Sequence, residues 1–153
     1  MVSGDELRSA MRRFPAGIAV LTLPLPFGVT VGSLVSLSLS PALVGVSIGH
    51  DTQAHELIRD ADGFALSILA GDQESLAQHF ARSVPPIAQW ERIASREGRR
   101  GPLLEDAVAW LECGLRSEHE TGDHTFFVGD VERVELGRDA AGLVYRGGRY
   151  VPA

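Results

Sequence analysis

The sequence predicts a mainly β protein with interspersed helices, built as a mostly antiparallel barrel. Three observations lead there. Short β-rich runs follow one another through turns marked by Gly and Pro. Helical stretches fall between some of these runs and not others, unlike the strict alternation of a doubly wound parallel sheet. No Gly-x-Gly-x-x-Gly follows a strand and opens a helix, which argues against a Rossmann dinucleotide site. At 153 residues the chain is expected to form one domain over residues 1–153, long enough to bury a single core.

The elements follow from local pattern. Ser3 with Glu6 three residues on is a capping box, and Leu7, Met11 and Phe14 continue it as a helical stripe that Pro15 and Gly17 end. Residues 17–23 are β-rich, and Pro24, Pro26 and Gly28 turn the chain into a hydroxyl-bearing strand. Residues 43–48 are almost continuously apolar, as in a strand covered on both faces. A helix is expected over residues 52–61, with Leu57 and Ile58 inward, and a strand over 64–69. Asp72 reads as the N-cap of a helix whose buried stripe is Leu76, Ala77 and Phe80. Residues 82–101 read as a surface excursion with a short helix over 90–95. Three strands, over 107–118, 124–136 and 143–146, close the chain.

Composition narrows the function. Net charge is −6, and a nucleic-acid backbone binder needs a basic face, so nucleic acid is not expected as a partner. All fourteen basic residues are Arg, which removes lysine Schiff bases and P-loop lysines. The lone cysteine, Cys113, excludes an intrachain disulfide and a multi-cysteine metal site. It alternates with Leu111 and Leu115 and reads as a small core residue. The N-terminus lacks the apolar core of a secretory signal and no apolar run approaches a membrane span, so a soluble, cytoplasmic protein without membrane association is expected.

Four segments carry possible chemistry. Between Gly28 and Pro41, hydroxyls at Thr30, Ser33, Ser36, Ser38 and Ser40 interrupt an apolar run, and Gly28 and Gly32 remove side chains. A flat, polar-edged ligand lying on the sheet would use both features; an irregular edge strand facing water explains them equally. In Thr121-Gly-Asp-His-Thr125, Gly122 and Asp123 are good turn residues, and His124 stands where the turn becomes a strand. It is either a donor to an anionic or carbonyl-bearing ligand or a solvated turn histidine. Around the closing Gly pair, Tyr145 and Tyr150 with two Arg could stack on a planar ring or hold a phosphate, or form a solvated strand end. In His50-Asp-Thr-Gln-Ala-His55, Thr52 is a phosphate seat or simply a cap. Histidines five apart lack helical metal-ligand spacing, so no metal is expected. The arginines between Arg96 and Arg100 read as a solvated loop, with attraction for a diphosphate as the alternative.

In this order the segments resemble the flavin reductase-like family, the FMN-binding split-barrel proteins. The likeness runs through residues 11–22, Gly28-Val-Thr-Val-Gly-Ser33, Ser36-Leu-Ser-Leu-Ser-Pro41, residues 64–69, Gln73 with 76–81, 110–113, Gly122-Asp-His-Thr-Phe-Phe-Val-Gly129 and Tyr145-Arg-Gly-Gly-Arg-Tyr150. The resemblance implies an NAD(P)H:flavin oxidoreductase on an FMN-binding split β-barrel, using NADH or NADPH to reduce FMN or FAD. It implies an isoalloxazine ring near Thr30, Val31, Gly32, Ser33 and Ser36, and a phosphate end near Thr52. His124, with Gly122 and Asp123, would lie beside flavin and nicotinamide, and Tyr145 and Tyr150 would complete the cofactor site. It further implies a homodimer with the site in a shared groove, and a partner monooxygenase that receives diffusing reduced flavin. The alternative is a flavin carrier or sensor without reductase activity. The chain departs from the family pattern at Gly32, where Asn is common, and at residues 50–55, which lack two arginines of the pattern.

Overall fold

The computed structural model describes Met1–Ala153, and the expected β-rich runs emerge as strands. In chain order these are α1 (Gly4–Met11), β1 (Ala16–Gly17), β2 (Ala19–Leu23), β3 (Phe27–Val31), β4 (Val35–Leu39), β5 (Ala42–Gly49), α2 (Ala54–Ala61) and β6 (Gly63–Ile68). There follow α3 (Glu74–Phe80), α4 (Pro86–Trp90), β7 (Ser95–Arg96), β8 (Leu103–Leu104), β9 (Ala109–Thr121), β10 (His124–Leu136), β11 (Leu143–Arg146) and β12 (Arg149–Pro152). No helix is long and apolar enough to cross a membrane.

Seven strands form one sheet in the order β3-β2-β6-β9-β10-β5-β4, with every neighbouring pair antiparallel. The sheet curls until Ser33, two residues after β3, meets β5. Ser33 Oγ accepts from the Ser47 amide at 2.9 Å and donates to the Ser47 carbonyl at 3.0 Å, standing in for a strand neighbour. Inside the curl lies the larger core, with Leu21, Val46, Ile58, Phe64 and Phe127 all fully buried. Residues of β2 alternate between two environments, as period-2 geometry requires. Ala19, Leu21 and Leu23 face this core, and Val20 faces a second one with Leu69, Ala77, Phe80 and Leu143. A three-stranded sheet, β1-β11-β12, flanks it.

The N-terminal capping box is present, with Ser3 Oγ accepting from the Glu6 amide and Glu6 accepting from the Ser3 amide. Its stripe is not buried: Leu7, Met11 and Phe14 are all exposed. Elsewhere the elements depart from their local signals, some through distant partners. The hydroxyl-bearing run is two strands, with residues 32–34 crossing between them. Asp72 caps nothing, because its carboxylate takes the Arg138 guanidinium, and the helix starts two residues later at Glu74. The helix expected from residue 52 starts at Ala54, since the Thr52 hydroxyl donates to the Gly49 carbonyl and closes a turn there. The short helix expected over residues 90–95 lies earlier, as α4 over 86–90, where Pro86 supplies the φ of a first helical turn and Glu91 is already extended. A fourth closing strand, β12, pairs with β11 through a Gly147-Gly148 turn with φ of +62° and +80°, which glycine adopts without strain.

The Arg-rich loop is largely neutralised. Arg96 pairs with Glu135 and lies 4.7 Å over the Trp110 ring, and Arg100 grips Glu132 with two nitrogens. The Arg100 bond holds the Glu132 carboxyl below the usual carboxylate range. A depressed carboxyl contributes stability above its unfolded pKa, about 4.3, which is lost as pH falls through the folded value. Wild-type stability is therefore expected to fall more steeply between about pH 5 and pH 3 than that of Glu132→Gln. Urea midpoints at the two pH values check this, and equal slopes would remove the pair from the acid response.

Candidate functional site

The candidate site grows from one end of the curled sheet. β5 ends at Gly49 opposite His124, the first residue of β10. A Cβ at Gly49 would lie 2.7 Å from Asp51 Oδ1 and 3.6 Å from His124 Nε2, so glycine here lets both side chains share the space above the strand end. Gly122, with φ of +72°, makes the turn that presents Asp123 and His124 to solvent. Asp123 Oδ1 lies 2.6 Å from His124 Nδ1, and this bond, chiefly, holds the Asp123 carboxyl below its usual range. The next residue is already core: the buried Thr125 hydroxyl meets His50 Nε2 at 2.8 Å.

From this end a rim runs to the flanking sheet. Ser33 is bonded to Ser47, two residues before the Gly49 terminus, and so sets its neighbour Gly32 beside the last part of β5. A Cβ at Gly32 would lie 3.5 Å from Ala16 Cβ, and Ala16 pairs with Tyr145. Tyr145 pairs in turn with Tyr150, their rings 5.0 Å apart. Contacts thus link His124, Ser33, Gly32 and the Tyr145–Tyr150 pair in one series, while Ser36 lies farther along β5, opposite Val44. Their side chains differ in what remains free. Ser36 is exposed on β4 and Gly32 exposes its backbone. Val31 is 5% exposed and packs in the core, which leaves only its backbone for a ligand. Thr30 donates its hydroxyl to the Ala77 carbonyl at 2.6 Å, anchoring α3, and the Ser33 hydroxyl is spent on β5.

Beside Thr52 opens a cleft of about 630 Å³, lined by residues 27–29, 51–53 and 80–86 with Gln89. It lies within the usual size range of small-molecule sites. Its far wall is built by Gln89, which is buried and fixed by two bonds: Oε1 accepts from the Gly28 amide at 3.0 Å and Nε2 donates to the Gly28 carbonyl at 2.7 Å. Gly28 is required because a Cβ there would lie 2.6 Å from the Phe80 ring. Arg82 is the one arginine in the lining and has no carboxylate partner, while Asp51 is the one carboxylate. Neither Arg82 nor Gln89 is singled out by the sequence, because both lie in a stretch without periodicity. Cys113 takes no part: burial pushes its thiol up to about 12, so it stays protonated near neutrality.

An exposed backbone at Gly32, a free hydroxyl at Ser36, a cleft of cofactor size and an unpaired guanidinium within it fit a ring-bearing phosphate ester such as a flavin nucleotide. Comparison with known proteins agrees. A sequence model described as "Flavin reductase like domain" matches residues 11–153. The chain is 40% identical over 153 residues to the NADH-dependent FMN reductase AsuE2 of Streptomyces nodosus subsp. asukaensis, covering 95% of this chain and 82% of that protein. It is 32% identical over 152 residues to the reductase component of the 4-nitrophenol 4-monooxygenase/4-nitrocatechol 2-monooxygenase of Rhodococcus opacus, covering 96% of this chain and 81% of that protein. Its fold superposes on the NADH:FAD oxidoreductase SgcE6 of Streptomyces globisporus C-1027, solved in complex with NAD and FAD fragments. The TM-score is 0.93 at 34% identity, over 100% of this chain and 96% of that one.

Proposed function

The chain belongs to the flavin reductase-like family, and from that premise we infer that it is an NAD(P)H:flavin oxidoreductase that reduces FMN or FAD and supplies the reduced flavin to a monooxygenase. The observation that carries this reading is the single rim joining the Thr52 cleft, His124, Gly32 and the Tyr145–Tyr150 pair. When bound, the flavin accepts at N5 the hydride that leaves nicotinamide C4, chemistry that belongs to the two cofactors. The chain's part is to bind, orient and exclude water. Backbone at Val31 and Gly32 with the Ser36 hydroxyl serves the polar ring edge, and Thr30 and Ser33 hold the surrounding elements in place. Thr52 and Arg82 serve the phosphate end, Arg82 standing in for the arginines that residues 50–55 lack. His124, set by Gly122 and Asp123, serves the reacting faces, with Tyr145 and Tyr150 closing the rim.

The protein works as a homodimer in the cytoplasm on this reading. Support for the dimer comes from apolar surface that one copy leaves open: Leu7 and Met11 on α1, Phe14 just after it, and Val35, Leu37 and Leu39 along β4. Flavin-dependent oxidation of NADH or NADPH by the purified protein tests the function and identifies both cofactors. Saturable flavin binding without oxidation would replace the reductase with a carrier. Arg82→Glu is expected to raise the flavin Kd at least tenfold, by removing a charge-assisted phosphate bond. An unchanged Kd in a fluorescence titration would take Arg82 out of the site.

A further inference from the structure

Seven of the fourteen arginines are paired with carboxylates: Arg8, Arg59, Arg96, Arg100, Arg116, Arg133 and Arg138. Of the unpaired seven, four meet in one place, Arg12 and Arg13 at the end of α1 and Arg146 and Arg149 on the β11–β12 hairpin. The Gly147 amide donates to the Arg12 carbonyl at 2.7 Å and fastens the hairpin to the helix end. A depression of about 300 Å³ forms there, lined by Ser9, Arg12, Arg13, Arg146 and Gly147. Gly148 makes room for one of the guanidiniums, since a Cβ on it would lie 2.8 Å from Arg12 Nη2 and 4.0 Å from the Tyr145 hydroxyl.

Arginines at a helix C-terminus complement its dipole, which accounts for Arg12 and Arg13 taken alone. It does not account for Arg146 and Arg149. These two are direct cross-strand partners, and like charges so placed repel. In a chain with twenty acidic residues, no carboxylate has been placed to relieve them. An anion held between guanidinium forks would do so, and phosphate oxygens match that fork.

We propose that this depression is the seat for the pyrophosphate of the nicotinamide dinucleotide, with Arg12, Arg13 and Arg146 as its ligands. The proposal rests on the reductase reading above. Its placement follows from continuity. Tyr145 lies one strand spacing, about 5 Å, from Ala16, which touches the Gly32 position on the rim. Arg146 and Gly147 follow Tyr145 along the same strand at about 3.3 Å per residue. That is the scale on which a nicotinamide ring at the rim is separated from its own phosphates. Tyr145 would then stand between the two ends of the dinucleotide.

The test compares NADH with 1-benzyl-1,4-dihydronicotinamide, a hydride donor that carries no phosphate. Arg12→Gln and Arg146→Gln keep the backbone contact at Arg12. Each is expected to raise KM for NADH about tenfold, leaving flavin affinity and kcat/KM for the benzyl donor unchanged. For wild type, added salt should raise KM for NADH and not for the benzyl donor. Equal losses with both donors would make the arginines structural, and unchanged kinetics with NADH would make them a solvated patch; either overturns the proposal. If wild type oxidises neither donor with any flavin, the reductase reading itself has failed. Calorimetric titration with ADP then still decides the site, because binding lost in Arg12→Gln supports an anion seat and no binding to wild type removes it.

Discussion

His124→Ala is expected to lower flavin-dependent NADH oxidation about a hundredfold while changing flavin affinity little. The expectation follows from how the ring is held. The Asp123 carboxyl is kept below its usual range, chiefly by its bond to His124, so near neutrality it is an ionised acceptor. An acceptor at Nδ1 requires the proton on Nδ1 and leaves Nε2 as the atom that faces the Gly49 strand end. That geometry suits alignment of a second substrate on the flavin face, and misalignment by about 1 Å costs on the order of a hundredfold in rate. Asp123→Asn should give a smaller loss in kcat, because the ring survives but its orientation is less constrained. Stopped-flow flavin reduction with a parallel flavin titration separates the two effects. A large loss of flavin affinity with intact turnover would overturn the role given to His124.

Phe64→Ala should cost about 3–5 kcal/mol of folding stability, a large part of the total for a domain of this size. Phe64 is fully buried in the larger core and its ring fills the space that Gly129 leaves on β10, where a Cβ would come within 2.9 Å of Phe64 Cζ. Neighbours on β6 and β9 are fixed by the ladder, since Phe64 pairs with Cys113, and cannot close over the cavity. Urea unfolding checks the figure; a loss below about 1 kcal/mol would mean that the curled sheet collapses into the void more freely than a hydrogen-bonded ladder allows.

Several local features are legible in the sequence. The capping box of Ser3 and Glu6 spans three residues, and the two strands around Gly122 are joined by a turn whose residues suit it. The order of motifs from Gly28 to Tyr150 carried the family, the cofactors and the fold. Misreadings arose where the deciding partner is distant. Asp72 has the right chemistry for a cap, but Arg138 lies 66 residues on and offers two guanidinium bonds. The hydroxyls of Thr30 and Ser33 look free in the sequence, and each is taken by a backbone group across the fold. Gln89 and Gly28 are 61 residues apart, and neither predicts the other.

The sequence by itself determined most of the strand and helix segments, several of the turns and which chemistry the chain lacks, because these depend on period, capping and turn residues within a few positions. Only the tertiary structure decided which arginines are neutralised, which hydroxyls remain open and where a cleft forms. Those outcomes depend on contacts between residues far apart in the chain. Charge pairing and burial are settled by proximity in space, and a curled antiparallel sheet brings β3 beside β5 and the chain's end beside its first helix.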